Sequence, residues 1–431
     1  MATTKTKVFL IVLTVASLGL GVVALGTVRE LVQGAMKHRR AGGLVQQSNH
    51  AVEGKRWDEA LRTASAAAEL DPGNALAWNN RGLAHAMLGD KDAALAEYTR
   101  ALELDPKLAI VWRNRGALRH HRSELDAALT DFAQAIALDP KNTIAWNNRG
   151  LVKVDMKDVN GAIDDFTHAI ELDARTSLHW SNRAFARERK GDLDGALADR
   201  DKAVALSPRD ADPINLRALL HEARNELDLA FTDYDRAIAI APKRATLWTN
   251  RGNAHRKRKE LDAAIADLTK AVQLDPKLAL AWNCLGTVRD DQGQYRSAIE
   301  AYDTAIELDP SYALGFNNRG YAHLRLGELD DALADYSHAI ELDPKLSMAY
   351  ENRAYLADQR GDPRGALKDY DRAIELSEGK RALSFSLRAR ARAEAGDKEG
   401  AIADLEKFLR LAPETPPSAP ERARLARLKG G

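Results

Sequence analysis

Residues 75–108 read ALAWNNRGLAHAMLGDKDAALAEYTRALELDPKL, and this stretch decides the fold. Trp78 and Gly82 stand four residues apart in its first half, so they lie on one face of a predicted helix. Gly89 and the aspartate after it signal a turn between the two halves. Pro106 ends the second half, because proline lacks the helical N–H donor and restricts the residue before it. The stretch therefore predicts two antiparallel helices joined by a short turn.

The same pattern recurs along most of the chain with a period of 34 residues. Small residues such as Gly82 and Ala94 stand where the two predicted helices must approach closely, and Trp78 fills a wider gap. One such hairpin cannot bury its apolar face alone, so neighbouring hairpins must stack. The proline of the pattern recurs at Pro72, Pro106, Pro140, Pro208, Pro242, Pro276, Pro310 and Pro344, with Ala174 in the missing place.

These fixed places resemble the tetratricopeptide repeat (TPR), a helix–turn–helix unit of 34 residues. The resemblance covers about residues 41–414, in eleven units. It implies an all-α fold, a right-handed superhelical solenoid whose first helices line a concave groove. The end repeats, 41–74 and 382–414, depart from the pattern, as capping repeats do. We expect residues 415–431 to form a proline-rich link and a C-terminal capping helix.

Two places of the repeat vary together. The seventh place, usually leucine in the family, is arginine in nine units, and the twenty-third place of those units is acidic. The two units that have Gln47 or Leu285 instead of arginine also lack the acid. We predict a structural ladder of ion pairs between the two helices of each unit, the alternative being two independent surface preferences. The predicted pairs are Arg81 with Glu97, Arg115 with Asp131, Arg149 with Asp165, Arg183 with Asp199, Arg217 with Asp233, Arg251 with Asp267, Arg319 with Asp335, Arg353 with Asp369 and Arg388 with Asp404.

Asparagine recurs at the sixth place, which in the family faces the inner wall of the superhelix. Because its amide both donates and accepts, a row of asparagines can bind the backbone of an extended peptide without reading its side chains. The alternative is that these amides only cap or bridge neighbouring helices. The lysine that the family's clamp for a C-terminal carboxylate needs is missing, so we do not expect chaperone-tail binding. The predicted peptide-binding residues are Asn80, Asn114, Asn148, Asn182, Asn250, Asn318 and Asn352.

A separate hydrophobic segment, residues 8–28, lies between a short flank, 1–7, and a basic juxtamembrane linker, 29–40. Its 21 uncharged residues suffice to cross about 30 Å of hydrocarbon as a helix. We predict a single-pass anchor, as in a bacterial inner membrane. The alternatives are a cleaved signal peptide, which leaves a periplasmic array, and a buried helix of a soluble protein. The flanking charges lean toward a cytoplasmic array, whereas a signal-type N-terminus would export it, so the side stays open.

The composition argues against several function classes. Lys and Arg total 63 and Asp and Glu total 63, and this zero net charge argues against a general nucleic-acid binder. The single cysteine, Cys284, excludes an internal disulfide and a multi-cysteine metal site. The histidines at the eleventh place recur with the repeat, which favours packing over metal binding. With no Gly-rich phosphate loop or nucleophile elbow in the sequence, we expect neither catalysis nor a cofactor.

The sequence therefore predicts a non-enzymatic, membrane-tethered scaffold. As the TPR resemblance implies, it would bind a peptide or protein partner in the concave groove. The alternative is a regulatory subunit or adaptor that controls a membrane-associated enzyme or an envelope assembly complex through its outer surface.

Overall fold

The computed structural model describes residues 23–412 and 418–430, and these residues form 23 helices and no strand. The chain divides into two units, Met1–Ser207 and Pro208–Gly431, a division that the regular repeat does not predict. The first unit contains α1 (Val23–Glu53), α2 (Trp57–Leu70), α3 (Ala75–Leu88), α4 (Lys91–Leu104), α5 (Ala109–His121), α6 (Leu125–Leu138), α7 (Thr143–Asp155), α8 (Val159–Leu172), α9 (Ser177–Lys190) and α10 (Leu193–Leu206). The second contains α11 (Ala211–Ala223), α12 (Leu227–Ile240), α13 (Ala245–Lys257), α14 (Leu261–Leu274), α15 (Ala279–Asp291), α16 (Tyr295–Leu308), α17 (Ala313–Leu326), α18 (Leu329–Leu342), α19 (Ser347–Gln359), α20 (Pro363–Leu376), α21 (Ala382–Glu394), α22 (Lys398–Leu411) and α23 (Ser418–Gly430).

The helices up to α22 pack in consecutive pairs, one pair to each repeat. We call the odd-numbered helix of a repeat its A helix and the even-numbered one its B helix. The predicted helix–turn–helix unit is confirmed, since α3 and α4 occupy both halves of residues 75–108.

Local chemistry sets the ends of these helices. Gly89 ends α3 with φ at 97°, a left-handed conformation that glycine adopts without steric cost. The Asp90 carboxylate then accepts the backbone N–H of Ala93 at 3.0 Å and caps the start of α4. After α4, Asp105 accepts the N–H of Lys107 at 2.9 Å, and Pro106 prevents the helix from continuing.

Close packing between the A and B helices explains the small residues of the repeat. A Cβ added at Gly82 would lie 2.9 Å from the Tyr98 ring, and one at Gly150 would lie 2.7 Å from the Phe166 ring. Both rings are buried against these glycines, because only a residue without a side chain leaves room for them. Ala94, on the facing helix, is fully buried as well.

The N-terminal predictions fall only partly within the described residues. Residues 8–22 of the hydrophobic segment lie outside them, and residues 23–28 begin α1. The expected linker, 29–40, is helical and continuous with the A helix of the first repeat. In the part of the chain that the structure describes, no helix combines the length and apolar character that crossing a membrane requires.

The C-terminal helix α23 packs on α22. Ser386 donates to Glu421 at 2.8 Å, and Lys429 donates to Glu406 at 2.7 Å. Leu425 is partly buried. This helix begins at Ser418, three residues earlier than expected, and residues 413–417 of the link lie outside the described part.

Candidate functional site

The structure brings the nine arginines and nine acids of the predicted ladder together between the A and B helices. Eight of the arginines are bidentate, with Nε and Nη2 donating to the two oxygens of one aspartate at 2.6–3.0 Å. The acids are nearly inaccessible, since Asp131 is 0% and Asp199 2% exposed. Buried, bidentate pairs of this kind stabilise each repeat more than a solvated surface pair would.

The pair of Arg81 with Glu97 differs from the other eight. Only Arg81 Nη2 reaches the carboxylate, at 2.8 Å from Oε1. Arg81 Nε and Glu97 Oε2 are both buried without a hydrogen-bond partner among the described residues. The extra methylene of glutamate thus turns the carboxylate away from the two-point contact.

Most of these arginines also contact a third helix. Arg183 stacks on Trp180, with its guanidinium carbon 5.0 Å from the ring centroid. Its Nη1 donates at 3.1 Å to Thr167 on the B helix of the preceding repeat. In the second unit, Arg251 Nη1 donates to Asp235 in the same way, at 2.6 Å. Each such guanidinium therefore joins its own A and B helices to the previous B helix.

The asparagine row forms hydrogen bonds between successive repeats. Asn114 Nδ2 donates to Asn79 Oδ1 at 3.0 Å, and Asn352 Nδ2 donates to Asn317 Oδ1 at 2.9 Å. In each case the acceptor is the fifth residue of the preceding A helix. The same bond joins Asn182 to Asn147, Asn250 to Asn215 and Asn318 to Asn283, whereas Asn80 donates to Asn49 and Asn148 accepts from Asn147.

These bonds favour the bridging role that the sequence left as an alternative. They also reveal a set of residues that the sequence analysis missed, the asparagines at the fifth place. The signal is present in the sequence, because Asn79, Asn147, Asn215, Asn283 and Asn317 are each followed 35 residues later by an asparagine at the sixth place. Where Thr249 takes the fifth place, Cys284 replaces the later asparagine.

Exposed aliphatic side chains occupy the second place of most A helices. Leu76 lies four residues before Asn80, so the two share one face of α3. We call these side chains the aliphatic row and the helical faces that carry them the A-helix wall. The row consists of Leu76, Ile110, Ile144 and Leu178 in the first unit and Leu280, Leu314 and Leu383 in the second, with exposed fractions of 36–55%.

A groove of about 880 Å³ lies on the A-helix wall of the second unit. Its lining combines Leu314 and Met348 with the charged side chains of Arg256 and Asp291. Cys284 also lines it but is 8% exposed, and burial raises the pKa of its thiol. A thiol held protonated in this way is a poor nucleophile, which fits the expected packing role.

The histidines at the eleventh place contact acids at the turns of their repeats. His221 contacts Glu226 at 2.7 Å and His255 contacts Glu260 at 2.6 Å. His323, Glu328 and Asp331 offer three ligand atoms within 4.8 Å of one another. Because Arg296 already pairs with Glu328 at 2.8 Å, this cluster is charge-balanced without an ion.

Comparison with known families identifies the repeat. The tetratricopeptide repeat profile matches residues 45–109, 285–347 and 351–419, and two more profiles of this repeat match 245–278 and 144–176. Together these matches cover more than half of the chain. The chain belongs to the tetratricopeptide repeat family. No curated protein is significantly similar to this TPR protein in sequence.

Solved structures share the TPR fold at low sequence identity. Yeast Tom70 is 18% identical, covering 91% of this chain and 96% of its own, with a TM-score of 0.49. A tetratricopeptide repeat protein from Parabacteroides merdae is 22% identical, covering 58% and 99%, with a TM-score of 0.47. The human IFIT1 dimer with PPP-AAAA is 17% identical, covering 78% and 90%, with a TM-score of 0.49. Likeness at this level concerns the fold alone.

Proposed function

We propose that this TPR protein is a non-enzymatic scaffold that binds a peptide or protein partner on its A-helix wall. The aliphatic row is the observation that carries the proposal. Leu76, Ile110, Ile144 and Leu178 are 42%, 41%, 49% and 55% exposed on successive A helices of the first unit. Single exposed aliphatic residues are ordinary, but a series of them at one place of the repeat is typical of an interaction surface.

The asparagines of the wall add polar contacts beside this row. Each bond between repeats uses one N–H of an Nδ2 group, and a second N–H and the carbonyl oxygen lone pairs remain. Asn114 and Asn182 are half-buried, so a partner's backbone can reach them at the surface. We therefore propose that the asparagines both bridge the repeats and position the partner's backbone.

We further propose that residues 8–28 tether the protein to a membrane as a single-pass anchor. The 21 uncharged residues and the cations that follow support this proposal. In the bacterial inner membrane, the array would lie on the cytoplasmic or the periplasmic side. A signal peptide cleaved near Ala24 and Gly26 would instead leave a periplasmic form.

Site-specific photo-crosslinking in the cells that make the protein tests the scaffold proposal. A crosslinking amino acid at Ile144, on the wall, is expected to capture a discrete partner, and the matched residue Gln134, exposed on α6, is not. Replacing the neighbouring Ile110 and Leu178 by serine should abolish the capture at Ile144. Capture of a membrane enzyme at Gln134 alone would overturn the proposal and favour regulation through the outer surface.

Paired reporter fusions at the C-terminus test the tether. One reporter is active only in the cytoplasm and the other only outside it, so one of the two reports the side of the array. Mass spectrometry of the membrane fraction then tests for residues 8–28. An array found in the soluble fraction with its N-terminus beyond Gly26 would overturn the anchor and leave the cleaved form.

A further inference from the structure

A second groove of the A-helix wall, of about 670 Å³, is lined mainly by aromatic and aliphatic side chains. It lies within the second unit, where Tyr321, Tyr355, Leu383 and Leu387 line it. Tyr321 is 39% and Leu383 is 49% exposed, so both side chains offer apolar surface to an incoming molecule. We call it the Arg325 groove after the one cationic side chain in its lining.

Two tyrosines hold Arg325 in place. Its Nη1 donates to the Tyr321 hydroxyl at 3.0 Å, and its guanidinium carbon lies 4.8 Å from the centroid of the Tyr295 ring. These contacts fix the guanidinium but leave its charge unmatched, because aromatic groups attract a cation without neutralising it. In the part of the chain that is described, no carboxylate lies within 4.0 Å of Arg325. Asp290 attracts it only from a greater distance.

The other charges near this groove are already balanced. Glu351 also lines the groove, but it accepts hydrogen bonds from Arg381, at 2.7 Å, and from Ser384. Arg390, next to Tyr355, pairs with Asp358 through Nε at 2.9 Å. Arg325 therefore supplies the unpaired charge of an otherwise apolar groove.

We propose that the Arg325 groove binds a peptide segment of the partner in which an aspartate or glutamate is flanked by large apolar side chains. The apolar side chains would cover Tyr321, Tyr355, Leu383 and Leu387. The acid would meet a cation that is already oriented, so little side-chain freedom is lost on binding. Partial exclusion of water around the pair strengthens the attraction and penalises a peptide without the acid. This inference rests on the proposed function, because it names the partner of the same wall.

The probe is a library of random dodecapeptides displayed on phage and selected on the full chain. We expect the enriched peptides to carry Asp or Glu beside Leu, Ile or Phe. Selection on Arg325→Glu should instead enrich Lys or Arg at that place. For an enriched peptide, Arg325→Gln should weaken binding about tenfold, whereas Lys277→Gln, which removes an exposed lysine elsewhere in the unit, should leave it unchanged.

The outcomes separate this inference from the proposed function. Arg325→Gln leaves the packed core untouched, and a circular dichroism melt that overlays the wild type shows that the fold is retained. Peptides that need Leu383 but tolerate Arg325→Gln, or that need only Ile144 and Leu178, overturn the acidic preference and keep the scaffold. A library that yields no enriched peptide overturns both.

Discussion

At the scale of single residues, Glu97 is the one glutamate among the nine acids of the ladder, and its side chain is too long for the bidentate contact. We predict that Glu97→Asp lets Arg81 donate through both Nε and Nη2. Two buried, unpaired polar atoms would gain partners, so the free energy of unfolding should rise by about 1 kcal/mol after the slightly lower helix propensity of aspartate is subtracted. Urea unfolding followed by circular dichroism measures the change.

The reciprocal change is the control. Asp131→Glu lengthens an acid that is bidentate to Arg115 at 2.8 and 2.9 Å, so it should lower the free energy of unfolding. If Glu97→Asp destabilises the protein as much as Asp131→Glu does, chain length is not what distinguishes the first pair.

Asp290 is expected to make stability depend on pH. Burial raises its pKa to about 6, repulsion from Asp291 adds to this, and its Oδ1 has no hydrogen-bond partner in the described chain. Because the folded pKa lies above the unfolded value, the contribution is present below about pH 4 and lost as pH rises through about 6. The melting temperature of the wild type should fall relative to that of Asp290→Asn across this window. Parallel curves for the two proteins would contradict the prediction.

The sequence allowed the arginine ladder to be predicted because both partners change together within one repeat. The asparagine bridges follow the same logic across two repeats, 35 residues apart, but we compared places only within a unit. Arg325 could not be assigned from the sequence, because Tyr295 and Tyr321 reach it from neighbouring helices and nothing in the repeat period marks an unmatched charge.

At the scale of helices and turns, the link between the A and B helices requires a left-handed residue. Gly89 and Gly191 meet this need with φ at 97° and 85°, but Lys157 occupies the same place with φ at 64°. A side chain in this conformation costs about 1–2 kcal/mol. We predict that Lys157→Gly raises the free energy of unfolding by about 0.5–1 kcal/mol, because the greater freedom of glycine in the unfolded chain offsets part of the gain.

Gly191→Ala is the matched control for this turn and should destabilise the protein, since alanine would meet the strain that lysine now bears. Both changes are read by urea unfolding. A loss of stability in Lys157→Gly would show that the lysine side chain makes a compensating contact.

The turns also show how well elements could be predicted. The proline and glycine signals place both helices of the repeat correctly, because these residues act on the backbone directly. They do not reveal that α1 runs unbroken from Val23 to Glu53, since residues 29–40 carry no helix-stopping signal and no repeat pattern either.

At the scale of the whole molecule, α23 occupies the place of a further A helix. Ser386 and Glu421 are 35 residues apart, the same separation as the asparagine bridges between repeats. Removing residues 413–431 should expose Phe408, which is 2% exposed in the full chain, and the face of α22 around it. We predict a lower melting temperature and self-association, measured by light scattering after gel filtration.

Lys429→Gln is the control for this truncation, because it removes only the exposed contact with Glu406. It should keep the melting temperature and the mass of the full chain. A truncated chain that stays monomeric and equally stable would show that α22 needs no cover.

Regularity at this scale was predictable, whereas the division at Ser207 was not. The 34-residue period continues across that point, with Pro208 in the expected place. A pattern that repeats identifies what the repeats share, and the places where they differ, such as Ile214 where most repeats have tryptophan, need the packed structure to be interpreted.

The reach of each arginine has a consequence for how such a gene can change its length. Its bidentate partner lies 16 residues downstream within the repeat, and its Nη1 partner commonly lies 16 residues upstream on the neighbouring repeat. Duplication or deletion of 34 residues inside a unit therefore supplies every arginine with an equivalent pair of partners. A change of any other length would strand a buried carboxylate, so growth and shrinkage by whole periods are the tolerated routes.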